Sequence, residues 1–146
     1  NLNKAIQTVQ RAISSKPSTP IFSGIHLIAD NNILEIQAMD LNMAIACSIE
    51  AEIQEKGEIV VSAKHFSELM RKLPGENVTI VKNKEEKTIN VQSDKSDFQL
   101  LLMNEDDYPK FPEFNADKQI VLEDEKIKKL FLPALQTKQD LCSQVF

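Results

Sequence analysis

Glycine is scarce in this chain. Three are present among 146 residues, Gly24, Gly57 and Gly75, and no two are close. Phosphate-cradling loops and dinucleotide fingerprints both need clustered glycines, because only a bare backbone can approach the phosphates that closely. P-loop ATPases and Rossmann dehydrogenases are therefore excluded. Cysteine is scarcer still. Cys47 and Cys142 have no metal-ligand spacing and make no disulfide framework. Long apolar runs are missing as well, since none reaches the roughly 18 residues of a membrane span. The opening LNKAIQTVQRAI is amphipathic rather than continuously apolar, so no secretory signal is expected. A reducing cytoplasmic compartment, without membrane association, is the expectation.

Catalytic groupings are also wanting. His26 falls in an alternating run and His65 on a helix flank, and neither has a serine or cysteine motif beside it. Both read as structural or surface residues. Asp94-Lys95-Ser96-Asp97 lacks the ligand count and glycine of a calcium loop and reads as a hairpin turn. Asp40 could be a lone acid, but a turn or capping role is commoner between strands. Tyr108, Phe111 and Phe114 are either an exposed recognition patch or, more simply, a loop folded back over a sheet edge. No metal or cofactor is called for, and an enzyme is the weakest reading.

What is present suits one domain, or one domain with the start of another. Hydrophobic residues make up 42% and charged residues 27%, which is ordinary for a globular chain. The net charge is −5, yet its distribution is uneven. Residues 1–29 carry Lys4, Arg11 and Lys16 and no acid. Residues 62–75 carry Lys64, Arg71 and Lys72 against Glu68 alone. All the excess negative charge lies elsewhere. Binding a polyanion needs a local basic face, not a basic protein.

Periodicity supplies the elements. Leu2, Ala5, Ile6, Val9, Ala12 and Ile13 recur at helical spacing, and Pro17 implies a stop near Ser14–Lys16. Strands are expected over 21–30, 33–38, 43–53 and 58–61. A second helix over 62–74 has Ser62 as candidate N-cap, a buried stripe of Phe66, Leu69, Met70 and Leu73, and Pro74-Gly75 as its end. Strands follow over 77–83, 88–93 and 97–103, then the loop DDYPKFPEF, a strand over 119–124 and a helix from 124 to 131. Strong alternation favours an antiparallel sheet with one wet face. The fold class is α+β, two helices packed on one face of a mostly antiparallel sheet.

Six stretches, in this order, resemble the first domain of bacterial DNA polymerase III beta subunits, the sliding clamps. They are KAIQTVQRAIS, KPSTPIFSGIHLIA, ILEIQAMDLNMAI, GEIVVSAKHFSELMRKLPG, SDKSDFQLLLM and DDYPKFPEF. The resemblance covers most of residues 2–131. It implies a DNA-clamp domain over 1–116 and the start of a second domain over 117–146. It also implies a homodimeric ring around duplex DNA, with helices lining the hole. Such a ring tethers the polymerase without covalent chemistry, and a clamp loader is a further partner of the complete family member. By matching positions, Lys16 and Lys64 are the implied DNA contacts. Arg11, Arg71 and Lys72 join them on the helical-face argument. Leu69 and Leu73 match positions at the subunit junction, where strand 97–103 would be the edge continuing the sheet; plain core packing is the simpler role for both leucines. Two departures are expected: the family's opening strand is absent, and residues 132–146 do not follow its pattern, as in a truncated or altered product or a fragment. The competing reading is a protein-interaction module whose exposed sheet edge accepts a peptide strand.

Overall fold

Apolar spacing determines where the chain coils. In the computed structural model, which describes residues 2–73, 77–94 and 96–111, helix α1 covers Leu2–Val9 and buries Ala5, Ile6 and Val9. A single 3-10 turn, Gln10–Ala12, extends it. Ile13 then turns extended (φ −89°, ψ 122°) and its amide donates to Gln10 O. The helix thus ends before the Ser14–Lys16 stop, because the β-branched Ile13 leaves the helical path and packs against the core. Pro20–Ser23 is a second 3-10 turn, not the start of a strand. Pro20 fixes a helical φ in its first turn, and Ser23 Oγ donates back to Pro20 O at 2.6 Å.

Among the described residues seven strands follow. They are β1 (Gly24–Asp30), β2 (Ile33–Met39), β3 (Ala44–Glu50), β4 (Gly57–Ser62), β5 (Thr79–Asn83), β6 (Thr88–Ser93) and β7 (Ser96–Met103), with helix α2 (Ala63–Lys72) between β4 and β5. Ser62 occupies the N-cap of α2, but its side chain makes no capping bond. Each helix precedes a three-stranded antiparallel meander: α1 leads to β1–β2–β3, and α2 leads to β5–β6–β7. The sheet order is β3-β2-β1-β4-β7-β6-β5. The α+β class with an antiparallel sheet is the observed one. No helix among the described residues is long and apolar enough to cross a membrane.

Turn chemistry fixes the register. Asn31 (φ 49°) and Asn32 (φ 59°) both take the left-handed conformation that a two-residue hairpin demands. Asp40 closes the β2–β3 loop: its amide donates to Met43 O, and its Oδ1 accepts from the Leu41 amide. Asp94 (φ 29°) sits in the turn between β6 and β7, as a hairpin reading requires.

Strand β7 differs from expectation. It is interior in the sheet order rather than an edge. Yet β4 pairs with it only through Val60↔Met103 and Val61↔Leu102. Ser96 to Leu101 pair with β6 alone, so their other side is open among the described residues.

The sheet has two covered faces. On one, Ile25, Leu27, Ile36, Ile59, Val61, Ile89 and Val91 form a core with Ile6, Val9, Phe66 and Met70 of the helices. Each fully buried large side chain there contributes about 1.5–3 kcal/mol. On the other face Met39 and Val60 meet Ile21, Phe22 and Tyr108. Gly24 begins β1 where these layers close in. A Cβ there would lie 2.8 Å from Val60 Cγ1 and 3.0 Å from Ile21 O, so only glycine fits without movement. The aromatic loop is therefore folded back, but onto the sheet face and not its edge. Tyr108 is buried and its ring stands 5.1 Å from that of His26, which bonds Glu58 Oε2 at 2.9 Å. The Pro74-Gly75 stop, Phe114, strand 119–124 and helix 124–131 lie outside the described residues.

Burial raises the Tyr108 hydroxyl from its usual 10.0 to about 12; the nearby Met39 backbone opposes this, without a complete hydrogen bond. Because the folded value is raised, the native state keeps a proton that the unfolded chain loses. The associated stability is fully present below pH about 10 and is lost as pH rises toward 12. Tyr108 is the only tyrosine and tryptophan is absent, so phenolate absorbance reports it alone. Titration of the folded chain should show a midpoint near 12, returning to about 10 in denaturant. A folded midpoint near 10 would remove Tyr108 from the buried layer.

Candidate nucleic-acid interface

Two hydrogen bonds set the relation between the helices. Asn3 Nδ2 donates to Met70 O at 3.1 Å, and Gln10 Nε2 donates to Ala63 O at 3.0 Å. Rising residue numbers on α1 meet falling ones on α2, so the helices run antiparallel. Both contacts are partly buried. The Met70 carbonyl stands in the last turn of α2, where helical partners run out, so Asn3 satisfies an otherwise open acceptor.

The cations follow from that register. Lys4 succeeds Asn3 and Arg71 succeeds Met70; Arg11 succeeds Gln10 and Lys64 succeeds Ala63. Each crossing bond is thus flanked by one cation from each helix. All four are exposed. Seven residues separate the pair on each helix, about 10.5 Å at helical rise. Packed helices lie about 8–10 Å apart. Lys72 is exposed at the C-terminal end of α2, where it and Arg71 stand in the last turn. Lys16 is exposed too, its amide bonded to Ser14 Oγ. Its loop leaves from beside Ala63, where Gln10 docks, and returns beside Ser62, which pairs with Gly24. Lys16 is thus in the loop that follows the Arg11 end of the pair.

None of these cations enters an ion pair among the described residues. Among the described residues the ion pairs are His26–Glu58, Lys82–Glu105 and Lys84–Glu55, all on strands and connections. Glu68 is the one acid on either helix, one turn from Lys64 and from Lys72, and pairs with neither. Acidic residues crowd the hairpins and the Glu105–Asp107 turn instead. The face can therefore hold a chain of phosphates through long, flexible stems.

The two leucines implied at a junction lie in the core stripe read from the sequence. Leu69 is buried in the molecule's own core, and Leu73 is half-buried against it. Both are core residues within this chain, and Leu73 keeps some exposed surface. Within the stretch of β7 whose other edge is open, Phe98 and Leu101 are 41% and 78% exposed. Among the described residues no group of three or more histidine, cysteine, aspartate or glutamate side chains gathers to hold a metal.

Helical spacing puts Lys4 on the outer face of the first helix with Arg11, but does not single it out as a contact. Its charge is visible there, but only the antiparallel docking shows that it stands level with Arg71.

Comparison with known proteins gives one consistent result. The family model for the DNA polymerase III beta subunit, N-terminal domain, matches residues 1–112. The Bacillus subtilis beta sliding clamp is 30% identical over 137 residues, spanning 88% of this chain and 36% of its own length. A solved chain from Eubacterium rectale, named as a DNA polymerase III beta subunit, matches with TM-score 0.82 at 28% identity, covering 89% of this chain and 35% of that one. The Caulobacter crescentus DNA polymerase sliding clamp matches with TM-score 0.72 at 30% identity, covering 78% and 31%. The chain spans about a third of the length of the curated relatives it matches.

Proposed function

This chain belongs to the DNA polymerase III beta subunit family through its N-terminal domain, and on that premise we propose that it acts as part of a ring that encircles duplex DNA and tethers the replicative polymerase. It is a processivity factor and not an enzyme. The observation that carries this reading is the basic face on the antiparallel helix pair, whose cations enter no ion pair among the described residues. Contact with phosphate alone is independent of sequence, and a ring that slides must not grip individual bases. Exposed lysines and arginines on flexible stems satisfy both needs. Lys16, Lys64, Arg11, Arg71 and Lys72 are the proposed phosphate contacts.

The rest of the assembly follows from the same premise. Residues 1–116 are the clamp domain and residues 117–146 begin a second one. Rings of this family close as homodimers, so a partner domain is proposed to dock on the open side of β7, with Leu73 and Leu69 beneath it. The polymerase and the clamp loader bind the complete ring. The proposed compartment is the cytoplasm, with no membrane partner.

Charge reversal tests the DNA face. Lys16→Glu with Lys64→Glu should weaken binding to a labelled duplex and lower the slope of log affinity against log salt by about one unit per lost contact. Unchanged affinity and slope in the folded double variant would remove both residues from the interface. The junction is tested in a longer chain carrying the remaining domains. There Leu73→Asp should shift sedimentation from dimer toward monomer, while a dimer that persists in a folded variant would contradict the assignment.

A further inference from the structure

We propose that Lys4 is a phosphate contact, the fourth corner of a basic quadrilateral formed with Arg11, Lys64 and Arg71. The proposal rests on the reading above that the helix pair faces duplex DNA. The resemblance to clamps names Lys64, at the Arg11–Lys64 end of the helix pair, and Lys16, in the loop that follows the Arg11 end, and does not name Lys4. The structure assigns the opposite end. The bond from Asn3 Nδ2 to Met70 O holds the first turn of α1 against the last turn of α2 at 3.1 Å, which puts Lys4 and Arg71 side by side. Both are exposed, and neither enters an ion pair among the described residues.

Three observations separate Lys4 from an ordinary solvated lysine. First, its helix carries no acid at all, so no local partner competes for the charge. Second, it stands at the N-terminal end of α1, where the helix dipole already makes a cation unfavourable. A lysine placed for helix stability would stand at the other end. Third, it completes a repeat: Lys4 and Arg11, like Lys64 and Arg71, are seven residues apart, and the two inter-helix bonds bring these four into register, with Lys72 lying beyond them. The neutral Gln7 and Ser67 lie between them, one from each helix. A duplex on this face meets charge at both ends of the pair, so its footprint reaches the length of α1 instead of stopping at the Arg11–Lys64 end.

The test uses the full 146-residue chain and a fluorescein-labelled duplex of arbitrary sequence, with anisotropy read across a salt series. Lys4→Gln should lower the salt slope by about 0.9, the value of one phosphate contact on duplex DNA. Lys4→Arg should keep the slope. Lys64→Gln serves as the reference for the end already proposed. Gln is a good helix former at an exposed site, and circular dichroism verifies that each variant is folded. A slope that falls for Lys64→Gln but not for Lys4→Gln overturns this proposal and leaves the DNA-facing reading standing. If neither substitution lowers the slope, both are overturned.

Discussion

The antiparallel docking of α1 on α2 is the constraint from which the rest of the molecule follows. It is set by a shared apolar layer and two side-chain hydrogen bonds. Ile6, Val9, Phe66 and Met70 bury against the inner sides of β1, β2, β4 and β6. Asn3 and Gln10 then fix how far one helix slides along the other. Losing the apolar layer would cost the fold. Losing the register by one turn would leave a fold in which the cations no longer stand level. Stability and electrostatic pattern thus rest on the same contacts, although different atoms carry them.

That arrangement explains how an acidic chain can offer a basic surface. The sheet and its hairpins hold the acids and every ion pair among the described residues. The helix pair holds cations with one unpaired acid. The cations stand about a Debye length apart at physiological salt, so screening keeps their mutual repulsion small. Under the proposed function, a duplex approaching this face would exchange condensed counterions for flexible side chains, and the resulting hold would be sensitive to salt and indifferent to sequence.

Much of this was legible in the chain, for reasons that differ by element. Strand β6 was readable residue by residue, because Thr88–Ser93 alternates cleanly between polar turns. Helix α2 was readable because four apolar residues recur at helical spacing. The run 21–30 misled at its start, since apolar Ile21 and Phe22 look like strand residues and are in fact held in a 3-10 turn by Pro20. They pack on the other face of the sheet, in a smaller core that no periodicity announces. The place of β7 in the sheet was also hidden, because order within a sheet depends on pairings distant in sequence. For the proposed interface, charge clustering singled out the two helices and, on their outer faces, Arg11, Arg71 and Lys72, while Lys16 and Lys64 came from the resemblance. Charge clustering could not show Lys4 level with Arg71, since that follows from tertiary docking.

The central claim is that the outer face of the helix pair, and not the sheet, meets phosphate. Mapping amide chemical shifts of the labelled chain during titration with duplex DNA tests it most directly. The account predicts perturbations over residues 2–16 and 63–72 that fade as salt is raised. Perturbations centred instead on the opposite sheet face, around His26, Met39 and Tyr108, or shifts that persist at high salt, would contradict it.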